Sequence, residues 1–254
     1  MEANKKIWIV GGSSGIGLEL VKQCLEKDYL VIASSRNATK TKELLDLKND
    51  YPKTISFVDM DVNNESSILN GISDAWNCYD GIDIWFYNAG AYEIMSLDEW
   101  DYDKFEQMNS VNYLGVVKIM TKLLPLYKNN NIHTRWIWNC SISSYFGLPQ
   151  GGGYSAPKAA LVNLAESIQP ELDKNNIKLQ IINHGFVKTR LTEKNKFEMP
   201  QIMSPEFTAK KILEGIETSS SFEIRFPYKL SLFLRILKFL PYKFSLKLTK
   251  KLVQ

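Results

Sequence analysis

The chain has 254 residues, 44% of them apolar, and a formal net charge of +3. That is apolar material for a sizeable core, and too mild a charge to point to a nucleic-acid partner. Three widely spaced cysteines (Cys24, Cys78, Cys140) and two histidines (His133, His184) make neither a disulfide framework nor a His-based metal site, so no metal is expected and a reducing compartment is.

Residues 7–10 form a short apolar run stopped by glycine, the pattern of a buried strand. Gly11-Gly12-Ser13-Ser14-Gly15-Ile16-Gly17 follows, and then Leu18, Val21, Cys24 and Leu25 recur at helical spacing. Strand, glycine turn and helix start together make an anion site. Glycines let backbone N–H groups approach a pyrophosphate, and the helix dipole favours it. Residues 30–34 read as a second strand. A carboxylate at its end would hold an adenosine ribose hydroxyl, but Ser34, Ser35 and Arg36 stand there. An arginine suits a ribose 2′-phosphate by charge and by its two-pronged geometry, so NADP(H) is expected rather than NAD(H).

Helix is expected over 39–48, strand over 55–59 ending in Asp59-Met60-Asp61-Val62, and helix over 64–77 behind an Asn cap. A strand over 82–87 runs into Asn88-Ala89-Gly90. A long helical pattern covers 102–127 and should break or end near Pro125. Strands follow over 135–140 and 178–183, with a helix over 154–172 between them. Helices alternating with buried strands predict an α/β fold, a Rossmann-like doubly wound parallel sheet. In such a sheet the ligand lies beyond the strand C-termini, where Gly11, Arg36, Asp61, Asn88 and Ser141 all fall.

The stretch 141–158 carries a serine, a tyrosine thirteen residues later and a lysine four after that: Ser141, Tyr154, Lys158. On one helix face, Tyr154 and Lys158 would stand roughly 6 Å apart along the axis. At an effective dielectric of about 20 the ammonium would favour the phenolate by roughly 3 kcal/mol. That is about two pKa units, moving the tyrosine from near 10 toward ~8, where it could act as an acid or a base. A tyrosine and lysine so spaced also arise by chance; the accompanying motifs give the pair its weight.

These motifs resemble the short-chain dehydrogenase/reductase family over about residues 5–225. The resembling pieces are the loop Gly11 to Gly17, the acidic pair Asp61-Val62, Asn88-Ala89-Gly90, the helix asparagine Asn112, the Ser141–Tyr154–Lys158 spacing, and Val187 with Thr189. The resemblance implies hydride transfer between a nicotinamide and a small-molecule carbonyl or alcohol. It makes Tyr154 the general acid/base and Ser141 the group that binds the carbonyl oxygen. Lys158 would hold the nicotinamide ribose and lower the Tyr154 pKa, and Asn112 would hold a relay water. Dinucleotide contacts are implied for Gly11, Ser13, Ser14, Gly15, Ile16, Gly17, Arg36, Asp61, Val62, Asn88, Ala89, Gly90, Tyr154, Lys158, Val187 and Thr189. Departures are Val10 for the usual threonine, Tyr87 for the first asparagine of N-N-A-G, and His184 for the usual proline. The alternative is a non-catalytic dinucleotide-sensing protein on the same fold, but such proteins lose the tyrosine or the lysine. Residues 191–201 fall in the variable substrate loop, so the substrate is not legible. The helix over 102–127 and the small residues after Tyr154 resemble the family's pairing surfaces and imply a homodimer.

The Rossmann domain is expected over 1–226 and an extension over 227–254. Residues 222–254 hold eight basic residues and one acid, a net +7, which leaves −4 for the rest. Leu230, Phe233, Leu234, Leu237 and Leu240 lie on one helical stripe before Pro241. Such a basic amphipathic helix suits an anionic membrane surface or packs over the cleft. Residues 242–248 are ambiguous between strand and helix. No run of 18 apolar residues occurs, and the run after M-E-A-N-K-K is too short for a signal peptide. The expected location is cytoplasmic, with peripheral membrane contact through the tail.

Overall fold

The computed structural model describes residues 4–130, 132–195 and 197–252. Seven strands form one parallel sheet: β1 (Lys6–Val10), β2 (Leu30–Ser35), β3 (Ile55–Asp59), β4 (Ile84–Tyr87), β5 (Thr134–Asn139), β6 (Ile177–His184) and β7 (Glu223–Phe226). Their order is β3-β2-β1-β4-β5-β6-β7, so the strand order reverses between β1 and β4. All pairs are parallel, which brings every strand C-terminus to one edge of the sheet.

Side chains alternate across each strand, and both faces are buried. Ile7 and Ile9 face α1 (Gly15–Glu26), α2 (Lys42–Asp50) and α7 (Pro205–Thr218). Trp8 and Val10 face α3 (Glu65–Cys78), α5 (Gly115–Asn130) and α6 (Gly152–Asp173). Trp8, Trp85 and Trp136 are in register across β1, β4 and β5, and the last two rings meet edge to face at 5.2 Å between centroids. These near-continuous apolar strands are what a sheet covered on both faces requires.

Two helices differ from expectation. Residues 39–48 divide into a 3₁₀ turn at Ala38–Lys40 and α2, where Thr39 caps the Asp59 carboxylate through its N–H and hydroxyl at 2.9 and 2.5 Å. The long pattern over 102–127 is interrupted by a π segment rather than by proline: α4 (Tyr102–Asn109) passes through Ser110–Leu114 into α5. The Tyr87 hydroxyl donates to the Val111 carbonyl at 2.6 Å, and the Gly115 N–H reaches back to Ser110 O, one residue further than an α-helix allows. A Cβ at Gly115 would collide with that hydroxyl. The tyrosine that departs from the family pattern thus takes the carbonyl that α-helical Gly115 would use. Pro125 lies inside α5 on its exposed side without ending it.

After β7 come α8 (Tyr228–Phe239) and α9 (Tyr242–Thr249), so residues 242–248 are helical. Leu234 and Leu237 of α8 pack on Ile142 and Phe146, from the segment just beyond β5. Among the described residues no helix is long and apolar enough to cross a membrane.

Candidate active site

The C-terminal edge of the sheet opens into a cleft of about 1490 Å³. At its centre the chain turns from β1 into α1 with Gly11 at φ +87° and Gly15 at φ +54°, left-handed values that favour glycine. The Gly11 and Gly12 N–H groups donate to the Ser34 carbonyl at 2.7 and 3.0 Å. A Cβ on Gly17 would run into the Gly11 carbonyl. The first turn of α1 carries no acid, and its cap, Ser14, makes no side-chain hydrogen bond to it. Its N–H groups and dipole are therefore available to an anion. The cradle fits a dinucleotide pyrophosphate.

A chain of amides ties this loop to Lys158. Asn88 donates from Nδ2 to Gly11 O at 2.9 Å, and its Oδ1 accepts from Asn139 Nδ2 at 2.8 Å. The Asn139 carbonyl accepts from Lys158 Nζ at 2.7 Å. The Gly11 carbonyl dictates the orientation of Asn88, and Asn88 dictates that of Asn139. Asn139 Oδ1 is left buried without a partner among the described residues, and the residue lines the cleft. Asn139 had escaped the sequence reading. Its signal was a polar residue closing an apolar strand two places before Ser141.

Ser141 is buried beyond β5 and accepts from the Ser143 N–H at 3.2 Å. It stands close enough to Tyr154 to draw the phenol pKa down. Of the two neighbouring alternatives, Ser144 donates to Asn183 at 3.4 Å and Ser143 lines the same cleft with its hydroxyl buried and without a partner among the described residues; Ser141 is the serine that bonds toward the Tyr154 phenol. Tyr154, the expected helix start, is the third residue of α6, which begins two residues earlier at Gly152 and Gly153, and Lys158 lies one turn on with Nζ 5.8 Å from the Tyr154 ring centre. Tyr92 packs edge to face on Tyr154 at 4.9 Å.

The expected lowering of Tyr154 by Lys158 is not what the fold produces. Burial dominates and pushes the phenol above its ordinary value, against the smaller pull of Ser141. Burial also brings Lys158 down to about 8, and its ammonium is directed at a carbonyl. A pairwise attraction is outweighed where both partners lose water. His184 is likewise pulled down to about 4 by burial, with Nδ1 donating to Gly185 O at 2.7 Å.

Lining the cleft are Gly11, Ser13, Ser14, Gly15, Ile16, Arg36, Asp61, Val62, Asn88, Ala89, Gly90, Ser141, Tyr154, Lys158, Val187 and Thr189. Gly17 and Asn112 stand behind that lining. The Asn112 side chain is bound twice to Ala91, accepting from its N–H at 3.0 Å and donating to its carbonyl at 2.8 Å. Its amide braces the loop after β4 and keeps a second N–H and a second acceptor site beyond those two bonds. Val187 and Thr189 are held by Thr192, whose hydroxyl donates to Val187 O at 2.6 Å and accepts from the Thr189 N–H at 3.0 Å.

The family model for short chain dehydrogenase matches residues 5–199. An uncharacterized oxidoreductase of Myxococcus xanthus is 26% identical over 234 residues, 92% of this chain and 91% of that protein. The 3-oxoacyl-acyl-carrier-protein reductase of Aquifex aeolicus is 27% identical over 224 residues, 81% of this chain and 87% of that protein. Among solved structures, a Burkholderia cenocepacia short chain dehydrogenase in complex with NADP superposes with a TM-score of 0.81 at 19% identity, covering 100% of each chain. One from Burkholderia phymatum in complex with NAD gives 0.81 at 17%, covering 92% and 93%. With strand-end cleft, glycine turn and Ser141–Tyr154–Lys158 placed together, the chain belongs to the short-chain dehydrogenase/reductase family of oxidoreductases.

Proposed function

We propose that this chain is an NADP(H)-preferring oxidoreductase that interconverts a small-molecule carbonyl and an alcohol, with Tyr154 as the general acid/base. The observation that carries the reading is one cleft holding both the dinucleotide cradle and the Ser141–Tyr154–Lys158 set. A bound dinucleotide would supply the hydride in reduction, leaving it oxidised, and accept it in oxidation, with one proton given to or taken from the substrate oxygen by the protein. Tyr154, kept protonated at neutral pH by burial, gives that proton to the oxygen in reduction and takes it back in oxidation. Ser141 hydrogen-bonds the same oxygen as negative charge develops on it. Lys158, near its own pKa of about 8, bonds the nicotinamide ribose and passes a proton toward Tyr154. Asn112 fixes the loop at Ala91 and would hold the relay water that links Lys158 to solvent.

Arg36 supports the cofactor preference. It is exposed at the end of β2 on the cleft wall and forms no ion pair among the described residues. The nearby Asp59 carboxylate is engaged by Thr39. The working unit is a cytoplasmic homodimer paired through α4–α5 and α6, with residues 227–254 as an extension that contacts membrane peripherally.

The test is NADPH oxidation with a panel of carbonyls, run on the wild type and on Tyr154→Phe. The wild type should turn over at least one member, and the variant should lose ~10²–10⁴-fold while still binding NADPH. Turnover by the variant within a few-fold of the wild type overturns the role of Tyr154.

A further inference from the structure

The two α-helices of the tail leave large apolar side chains in solvent. In α9 the buried residues are Ser245 and Thr249, while Phe244, Leu246 and Leu248 are 45–57% exposed. In α8 the inner positions Leu234 and Leu237 pack on Ile142 and Phe146, yet Ile236 and Phe239 point outward at 48% and 83% exposure. Most of the stripe expected to meet a membrane is thus consumed in seating α8 on the domain. On α8 a second apolar face, Leu232, Ile236 and Phe239, opposite to it, remains uncovered, and α9 adds Phe244 and Leu248 on one side of its buried Ser245 and Thr249 and Leu246 on the other. Single exposed leucines mean little, but a continuous apolar face marks an interaction surface.

Its charge selects the occupant. Lys238, Lys243, Lys247, Lys250 and Lys251 flank the face and are exposed. Among the described residues no carboxylate lies within ion-pair reach of them, and the one acid of 222–254, Glu223, is engaged by Arg225 and Arg235. Position selects the consequence. Leu230, Phe233, Leu234, Lys251 and Leu252 of this tail also line the cleft, so the uncovered face adjoins its mouth.

We propose that α8 and α9 seat the mouth of the cleft on an anionic phospholipid surface, and that the substrate is a lipid-borne carbonyl or alcohol entering past Phe233 and Leu252. Apolar side chains enter the headgroup boundary while the lysines meet the lipid phosphates. This rests on the reading of the cleft as a carbonyl oxidoreductase and names where its substrate resides.

The experiment uses the full chain, sedimented with phosphatidylcholine vesicles with and without phosphatidylserine. A triple variant Ile236→Ser, Phe239→Ser, Phe244→Ser and a triple variant Lys238→Glu, Lys243→Glu, Lys247→Glu are run beside it. NADPH oxidation is followed with a water-soluble aldehyde and with a long-chain ketone dissolved in the vesicles. Wild type should pellet with the anionic vesicles and be released at ~1 M salt, where the screening length falls to about 3 Å. Both variants should stay in the supernatant, keep aldehyde turnover within twofold, and lose at least tenfold on the vesicle-borne ketone. Wild type that stays in the supernatant, or variants that match it on the ketone, overturn the proposal while aldehyde turnover leaves the oxidoreductase reading standing. A wild-type dimer made monomeric by the apolar variant assigns the face to a second copy and also overturns it. Absence of turnover on every carbonyl breaks the oxidoreductase reading instead, and sedimentation still decides the membrane contact.

Discussion

The two walls of the cleft break the usual distribution of polar and apolar groups in opposite ways. The strand-end wall buries polar groups: Asn139, Ser141 and Lys158 are all under one-tenth exposed, held by the amide chain from Gly11. The tail wall exposes apolar groups, with Phe239 and Leu246 open to solvent over buried Ser245 and Thr249. A buried ammonium and an uncovered apolar face are both unfavourable in an isolated chain. The first lines the cleft and the second adjoins it through Phe233 and Leu252, which teaches that the departures from burial rules in this chain gather about one cleft.

The largest effect should come from removing the burial cost of the first wall. Lys158→Met should abolish turnover yet raise stability at pH 7 by roughly 2–3 kcal/mol, from a shift of 10.5 to about 8 at 1.36 kcal/mol per unit, less the lost Asn139 bond. The sign follows from proton counting. Below pH about 8 the lysine is protonated in both folded and unfolded chains, and the cost of burying it is fully present. Between there and its unfolded value the unfolded chain holds the extra proton, so wild-type stability rises with pH from this group. The advantage of the variant should shrink across that window. Urea midpoints from pH 7 to 10 measure it, and a wild type more stable than the variant at pH 7 would contradict the burial argument.

Arg36→Ala probes the same wall where it is open to water. NADPH binding should weaken by roughly 1–3 kcal/mol, the range for a hydrogen bond to a charged group, with NADH little changed. Titration of both cofactors checks this, and equal affinity of the wild type for the two would remove the NADP(H) preference.

The smallest effect belongs to the joint between the walls. Glu223 of β7 accepts from Asn183 Nδ2 at 2.6 Å and from the Tyr145 hydroxyl, and faces Arg235 of α8 at 3.6 Å. Glu223→Gln keeps an acceptor but removes the charge, and since Arg235 is 40% exposed the loss is held to about 1 kcal/mol by solvent screening. Denaturant midpoints measure it. A drop of several kcal/mol would mean that the tail is a structural part of the domain rather than an appended wall.

Whatever depends on near neighbours in the chain was legible in the amino-acid order. The strand–glycine–helix turn, the alternation of helix and strand, Asn64 as a cap that accepts from the Ser67 N–H, and the helical spacing of Tyr154 and Lys158 all follow from local sterics and period. Most site residues could be placed for the same reason, because a parallel sheet delivers every strand end to one edge. Whatever depends on distant neighbours was decided only by the tertiary structure. Tyr87, far from 110–114 in sequence, opens a π segment there, whereas the break was expected near Pro125, which the helix runs through. Asn139 becomes the anchor of Lys158 because β4, carrying Asn88 at its end, lies between β1 and β5. Burial by the assembled fold reverses the direction of the Tyr154 pKa, since desolvation is a property of the whole surroundings and not of one pair. The tail shows the limit most plainly: periodicity predicts an amphipathic α8, but which apolar face turns inward is settled by Ile142 and Phe146 waiting on the domain.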